Sequence, residues 1–338
     1  MSEAVPATVP QTMKALEVQA LAPDLAGVAL AERPVPLPGE GQALVRIEAA
    51  SLGFPDLLMT EGLYQAKPPL PFVPGMEAAG EVVAAGEGSR WQAGDRVIVA
   101  TLTGAVEQYG VYADAALMPL PDSMTYAEGA ALRAAYITAY TAIARIGRAE
   151  PGETLVVHGA AGGVGLAAVD LGKALGLTVI AAASTPEKRA AIQRLYAPDH
   201  VLAGPTGLRE QILELTGGLG ADLVYDPVGG DVFDEACRYT AFGGRLLVVG
   251  FAGGRIAEVR TNIPLIKGFS VVGVRAGEYG RRFPERGRED MAAIQRLAEE
   301  GRIRPHVHSA VPLANWREAY LAMRERRVIG RTVILPNA

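Results

Sequence analysis

A single cysteine, Cys237, serves the whole 338-residue chain. That scarcity excludes an intramolecular disulfide and any thiolate-rich zinc site formed within one chain. No apolar run reaches the roughly eighteen residues of a membrane-spanning helix. The basic and apolar segments of a secretory signal are also missing, so Ser2–Gln11 reads as a disordered tail and the cytoplasm is the expected location. Positive charge is not in excess: the formal net charge is −5 and the pI is near 5.6. The arginine-rich stretch at 281–288 is interleaved with Glu285 and Glu289, which reads as a solvated loop and not as a nucleic-acid footprint.

What is present is apolar residues, 49% against 20% charged, enough for two domains with buried cores. From Met13 to about Pro121 the pattern is that of strands. Met13–Val18 and Ala43–Glu48 alternate apolar and polar side chains, with Pro34, Pro36 and Pro38 between them. Gly75, Gly80, Gly86, Gly88 and Gly94 mark tight turns, so a small, curved β-domain is expected. At Thr125 the pattern changes. Thr125 and Glu128 have capping-box spacing, and an alanine-rich helix should run to Arg145 and stop at Gly147. Strands at 154–157, 178–183, 222–225, 244–249 and 270–274 then alternate with helices, among them 165–175 and 231–239. Such repetition predicts an α/β fold with a doubly wound parallel sheet. Beyond Glu285 two more helices, 288–300 and 313–324, and a last strand at 331–335 should rejoin the first domain. The expected division is a tail over 1–11, a β-rich domain from 12–124 and 276–338, and a nucleotide-binding domain over 125–275.

The centre of the second domain is the strand Val156-Val157-His158 followed by Gly159-Ala160-Ala161-Gly162-Gly163-Val164-Gly165. Strand, glycine-rich turn and helix start are the elements that bring backbone N–H groups to a pyrophosphate, with the positive end of the helix dipole behind them. The first glycine of the G-x-G-x-x-G pattern is Ala160, so the motif alone is only moderately specific. An acidic residue at the end of the next strand would read the ribose 2′-hydroxyl of NAD. This chain has Ser184-Thr185-Pro186-Glu187-Lys188 there, a hydroxyl and an ammonium suited to a 2′-phosphate, and NADPH is the expected cofactor. The alternative is that Ser184 and Thr185 only cap a helix while Lys188 faces solvent, and Glu187 could turn inward. His158, at the strand end, reads as core or rim. Gly250 and Phe251 follow another strand end and are candidate neighbours of the nicotinamide, or simple turn residues.

Together these segments resemble the zinc-independent quinone oxidoreductases of the medium-chain dehydrogenase/reductase superfamily. The resemblance runs from Met13 to Pro336. It is carried by Phe54-Pro55-Asp56, Gly62-Leu63-Tyr64, Pro68–Gly75, Gly94-Asp95-Arg96-Val97, Tyr136–Tyr140, His158–Gly165 and Tyr225–Gly230. It implies a GroES-like catalytic domain made from both chain ends around a Rossmann domain. NADPH is then the hydride donor, and the assembly is a homodimer or homotetramer built through edge strands, here Ser270–Val274. By position, Thr138, Gly162, Gly163, Val164, Gly165, Ser184, Lys188, Gly250 and Phe251 should line the cofactor. Zinc-dependent relatives supply a cysteine near Gly53 and a histidine in Gly-His-Glu. This chain has Gly53 and Gly75-Met76-Glu77 and lacks the four-cysteine lobe, so no metal is expected.

Three departures from the family stand out: Gly53 where relatives carry asparagine, Ala203-Gly204-Pro205 where they often carry a tyrosine, and Arg133 in place of an apolar residue. Arg133 either offers a cation to an anionic substrate or lies on a helix surface. The implied reaction is hydride transfer to a quinone or an activated C=C, which leaves charge on a carbonyl oxygen that needs a hydrogen-bond donor. Tyr64 is the candidate catalytic donor, since a phenol of pKa about 10 stays protonated at neutral pH; backbone amides or water would serve equally, leaving Tyr64 as pocket wall. The alternatives are an acryloyl- or enoyl-CoA reductase, or a low-turnover NADPH-binding protein of the zeta-crystallin kind. The expected partner is a small-molecule substrate, with neither nucleic acid nor membrane.

Overall fold

The computed structural model describes residues 9–338. The expected tail over 1–11 therefore lies, for its first eight residues, outside the described part. Two compact units are present, one made of the N-terminal stretch to Arg133 with Val307–Ala338, the other of Ala134–His306.

In the first unit β1 (Thr12–Val18) and β2 (Val28–Pro34) form an antiparallel pair, with Leu16 opposite Leu30. The chain continues through β3 (Gln42–Leu52), α1 (Phe54–Thr60), β4 (Glu77–Ala85), β5 (Arg96–Ala100), β6 (Tyr109–Ala113) and β7 (Leu117–Pro119). The pairing of β3 with β4 shifts register twice, after Leu44 and after Ile47. Such bulges increase local twist, which is how a sheet of short strands curls around one core. Helix α2 (Tyr126–Tyr140) opens with the expected box: Glu128 Oε2 accepts from the N–H and hydroxyl of Thr125, both at 2.8 Å.

The helix stops at Gly147 as expected, but through a π-helical turn over Thr141–Ile146 and with Gly147 at φ −67°, outside the left-handed region. Glycine is required there by contact: a Cβ would stand 2.6 Å from the Ala142 carbonyl oxygen and 2.8 Å from that of Ile143.

The second unit runs β8 (Thr154–Val157), α3 (Gly163–Ala174), β9 (Thr178–Ala183), α4 (Pro186–Tyr196), β10 (His200–Ala203), α5 (Arg209–Leu215), β11 (Ala221–Asp226), α6 (Asp231–Tyr239), β12 (Thr240–Val248), α7 (Asn262–Lys267) and β13 (Ser270–Gly273). Its six strands are all parallel, in the order β10-β9-β8-β11-β12-β13. The chain's direction of travel across the sheet reverses between β8 and β11, the place where open α/β sheets bind ligands at their carboxyl ends. The strands are short apolar runs because both faces are covered. Val156, Ile180, Val224 and Leu246 are all buried in one cluster with Phe233 and Ala236 of α6.

Helices α8 (Ala276–Arg282) and α9 (Pro284–Glu299) stand with this unit, not with the β-rich one as the expected boundary at 275 has it. The tie is polar. Arg145 holds Asp290 at 2.6 Å and Glu289 at 2.8 Å. Asp170 of α3 accepts from the Arg304 N–H at 2.8 Å and from the Tyr136 hydroxyl at 2.5 Å. All but the last of these pairings link positions more than a hundred residues apart, which no local pattern foretells. The chain then returns to the first unit as β14 (Val307–Pro312), α10 (Trp316–Arg324) and β15 (Arg331–Leu335). β15 pairs with β3 in a sheet ordered β14-β15-β3-β4-β5-β7, and β6 also pairs with β3. Trp316 and Tyr320, one helical turn apart, pack edge to face against the core that holds Leu16, Val45 and Val97.

Candidate functional site

At the carboxyl end of β8 the chain turns at Gly159, whose φ of +55° falls in the left-handed region. The Gly159 carbonyl accepts from the Gly162 N–H at 2.9 Å and comes to lie under the first turn of α3. A Cβ on Gly165 would stand 2.3 Å from that oxygen and 2.9 Å from Ala160 Cα, so only glycine fits there. No side chain caps α3, and its N-cap residue, Gly162, is extended. The first-turn amides of Gly163 and Val164 are therefore available to an anion at the positive end of a twelve-residue helix. Ala160 is fully buried and its N–H donates to the Ala182 carbonyl at 3.1 Å, so a methyl in the motif's first glycine position is accommodated beside β9.

β9 ends at Ala183, and Ser184 is exposed. Thr185 caps α4, its hydroxyl accepting from the Lys188 N–H at 3.3 Å. Glu187 does not turn inward. Its own N–H and the Thr185 hydroxyl hold its carboxylate below the usual range on the exposed helix end. Arg189 folds back instead, donating to the carbonyls of Ala183 at 3.3 Å and Ser184 at 3.2 Å. Of the cations that follow β9, it is the Arg189 guanidinium that is held at the strand end, with Lys188 preceding it in the first turn of α4.

The loops after β11 and β12 complete this edge. Asp226 is buried, and its Oδ1 accepts from Val228 N–H at 2.8 Å and Gly229 N–H at 2.9 Å, which folds the Pro227–Gly230 loop back on itself. Burial raises its carboxyl pKa. A Cβ on Gly159 would be 3.2 Å from Val228 and one on Gly229 2.9 Å from Phe251, so the turn after β8, this loop and Phe251 lie close together. Gly250 donates to the Asp226 carbonyl at 3.3 Å. Thr138, in α2, donates its hydroxyl to the Ala134 carbonyl at 2.7 Å, which leaves its oxygen only as an acceptor. His158 is scaffold: it is buried, 2.5 Å from the Tyr239 hydroxyl, and burial pushes it down to about 4, so it is neutral at pH 7.

Tyr64 lies in the first unit, half-buried against the core that includes Phe72 and Val106. Gly53, the N-cap of α1, donates its N–H to Asp56 Oδ2 at 2.7 Å, while Asp56 Oδ1 accepts from the Gly75 N–H at 3.1 Å. Burial raises Asp56 to about 7 against these bonds and the pull of Arg331. A Cβ at Gly53 would stand 3.3 Å from Arg331 Nη1, so this guanidinium backs the position where relatives carry asparagine. Arg331 also pairs with the buried carboxylate of Glu77 and donates to Leu52 O at 3.3 Å. These residues do not fit a zinc site. Glu77 is engaged by an arginine, Asp56 by two amides, and the positions of the other ligands are Gly53 and Met76. Among the described residues no group of three or more His, Cys, Asp or Glu is arranged to hold a metal ion. Arg133 is half-buried, and burial lowers its pKa against the opposing pull of Glu77.

Two contributors escape a reading of the sequence, for different reasons. Arg189 adjoins Lys188 and is visible as half of a basic pair, but its reach back to two carbonyls depends on the turn of α4. Arg331, which backs Gly53, lies 278 residues from it along the chain, and no sequence signal joins them.

Residues 39–137 match the alcohol dehydrogenase GroES-like domain family and residues 163–296 the zinc-binding dehydrogenase family. The mouse quinone oxidoreductase-like protein 2 is 35% identical over 308 residues, 90% of this chain and 87% of its own. The crystal structure of a probable oxidoreductase from Mycobacterium abscessus is 36% identical, with a TM-score of 0.88 over 97% of this chain and all of the other. The quinone oxidoreductase of Thermus thermophilus, solved also as a complex with NADPH, is 30% identical, with a TM-score of 0.83 over 96% of this chain and all of its own.

Proposed function

The chain belongs to the quinone oxidoreductase-like family of the medium-chain dehydrogenase/reductase superfamily, and on that footing we propose that it is an NADPH-dependent, zinc-independent reductase of quinones or activated C=C bonds. The observation that carries the reading is the α3 turn, where glycine is obligatory at 165 and the helix end is uncapped, set beside a strand end that is followed by Lys188 and Arg189. The relative from Thermus thermophilus complexed with NADPH supports the same cofactor.

Bound NADPH would supply the hydride. Gly162, Gly163, Val164 and Gly165 would hold the pyrophosphate through backbone amides, and Ser184, Lys188 and Arg189 the 2′-phosphate. Thr138, with only an acceptor to offer, would take a hydrogen bond from the carboxamide, and Gly250 and Phe251 would flank the ring. Tyr64 would donate to the substrate carbonyl oxygen as charge develops there. The absence of a zinc-type ligand set at Gly53 and Met76 leaves that stabilisation to hydrogen-bond donors and cations. A homodimer would form through β13, an edge strand, near the exposed Leu265, Ile266 and Phe242.

The deciding experiment follows NADPH oxidation against quinones, enones, acrylates and enoyl-CoAs, with NADH as control. Turnover with NADPH preferred is expected. Silence across the panel despite tight NADPH binding would replace this reading with a low-turnover binding protein, and equal use of NADH would remove the role given to Lys188.

A further inference from the structure

Asp226 ends β11, beside the point where the strand order of the sheet reverses, and is 1% exposed. Four backbone amides converge on it. Val228 and Gly229 donate to Oδ1 at 2.8 and 2.9 Å, and Val249 and Gly250 donate to its carbonyl oxygen at 2.9 and 3.3 Å. The side chain therefore folds the loop after β11, while the main chain holds the start of the loop after β12. These two loops are also joined to each other: Ala252 donates to the Pro227 carbonyl at 3.0 Å and Gly253 to that of Val228 at 2.8 Å. A Cβ on Gly253 would stand 2.9 Å from the Val228 oxygen, so this approach leaves no room for a side chain. On its other side the loop after β11 lies close to the turn after β8, since a Cβ on Gly159 would be 3.2 Å from Val228 and 3.5 Å from Pro227. A carboxylate is a costly means to this end, because Oδ2 is buried with no partner among the described residues. Arg255, farther along the second loop, pairs with Asp231 and Asp234 at the surface, where ion pairs contribute little. The buried carboxylate is the stronger anchor.

We propose that Asp226 is a positioning residue for the cofactor. By holding the amides of Val228 and Gly229 it fixes the loop after β11, and through that loop the segment that carries Gly250 and Phe251, beside the nucleotide turn before NADPH arrives. Binding then does not have to order the two loops, and affinity is gained by that preorganisation. The proposal rests on the cofactor reading above, and all of its parts lie in the second unit.

The test is calorimetric titration of NADPH into the full chain and into Asp226→Asn, Asp226→Ser and Asp226→Ala, with hydrogen exchange of the ligand-free proteins. Asparagine keeps the acceptor oxygen and changes only the unpartnered one, so its Kd should stay within about threefold of wild type, whatever its buried amide costs in melting temperature. Alanine leaves two amides without an acceptor, and its Kd should rise by about tenfold or more. Serine makes the same turn more weakly and should fall between them, which keeps the series informative where Asp226→Ala does not fold. Exchange should quicken in Asp226→Ala over 227–230 and 249–253, with the strand 154–157 unchanged, and return to the wild-type rate in Asp226→Asn. A merely structural role would lower the melting temperature or the number of binding sites and leave Kd as in wild type. That result, or an Asp226→Asn loss as large as that of Asp226→Ala, would overturn the proposal and leave the cofactor reading standing. A wild type that binds no NADPH would overturn the cofactor reading and the proposal with it.

Discussion

Replacing Gly165 by alanine, with Gly162→Ala as its control, isolates the geometry of the nucleotide turn. At 165 the new Cβ would stand 2.3 Å from the Gly159 carbonyl oxygen, and at 162 it would stand 3.4 Å from the same atom. The second distance is an ordinary contact. The first demands that α3 and the turn separate by roughly 1 Å, and both walls are backbone, so no rotamer change relieves the overlap. Overpacking of this kind costs about 1–3 kcal/mol, and a clash between two backbone segments belongs at the upper end. For a unit of this size, that is a fall of roughly 5–10 °C in melting temperature. The same displacement takes the first-turn amides away from the phosphate site, so NADPH affinity should fall by at least about tenfold, at roughly 1.4 kcal/mol per decade. Gly162→Ala should leave the melting temperature within about 2 °C, as surface substitutions do, and any effect should appear in NADPH affinity alone. Scanning calorimetry and fluorescence titration with NADPH provide the two readouts. A Gly165→Ala protein with wild-type melting and wild-type NADPH affinity would refute the argument, because the close approach of turn and helix would then constrain neither stability nor binding.

Other consequences can be checked with the same protein. Lys188→Ala and Arg189→Ala should each raise the KM for NADPH by about three- to tenfold, as the loss of one partly exposed charged contact does, and leave that for NADH within about twofold; steady-state kinetics with both cofactors decides. Tyr64→Phe should lower kcat at saturating substrate, and an unchanged kcat would remove Tyr64 as donor to the carbonyl oxygen. Asp56 gives a pH signature. Its folded pKa of about 7 lies above the ordinary 3.8, so the folded state holds a proton that the unfolded chain releases, and stability should fall as pH rises from about 4 to 7. Urea titrations across that window should show a shallower slope for Asp56→Asn, whatever that variant loses by facing an N–H donor with its amide. Placing aspartate at Leu265, 81% exposed, should drive a dimer built on that face toward monomer in light scattering.

The local elements were legible in the residues because each carries its own physical cue. The strands Thr154–Val157 and Thr178–Ala183 and the helix Asp231–Tyr239 occur as expected, since short apolar runs between glycine or capping residues have few other solutions. Helix α3 begins two residues earlier than expected, because Gly162 serves as the N-cap through its backbone and leaves no polar side chain to mark the start. The stretch at 281–288, expected as a solvated loop, is helical, divided between α8 and the first turns of α9, and both helices stand with the second unit, since Arg145–Asp290 and Asp170–Arg304 are contacts of tertiary structure.

The turn from Gly159 to Gly165 shows the limit of each level. Sequence by itself determined that a strand, a glycine turn and a helix stand together at the centre of a parallel sheet, because periodicity and glycine placement act within a few residues. Which glycine is obligatory, which way Glu187 turns and that Arg331 backs Gly53 were decided only by the tertiary structure. The reason is physical: burial and charge pairing are properties of which distant segments meet, and a side chain's environment is made by residues that its own neighbourhood in the chain does not contain.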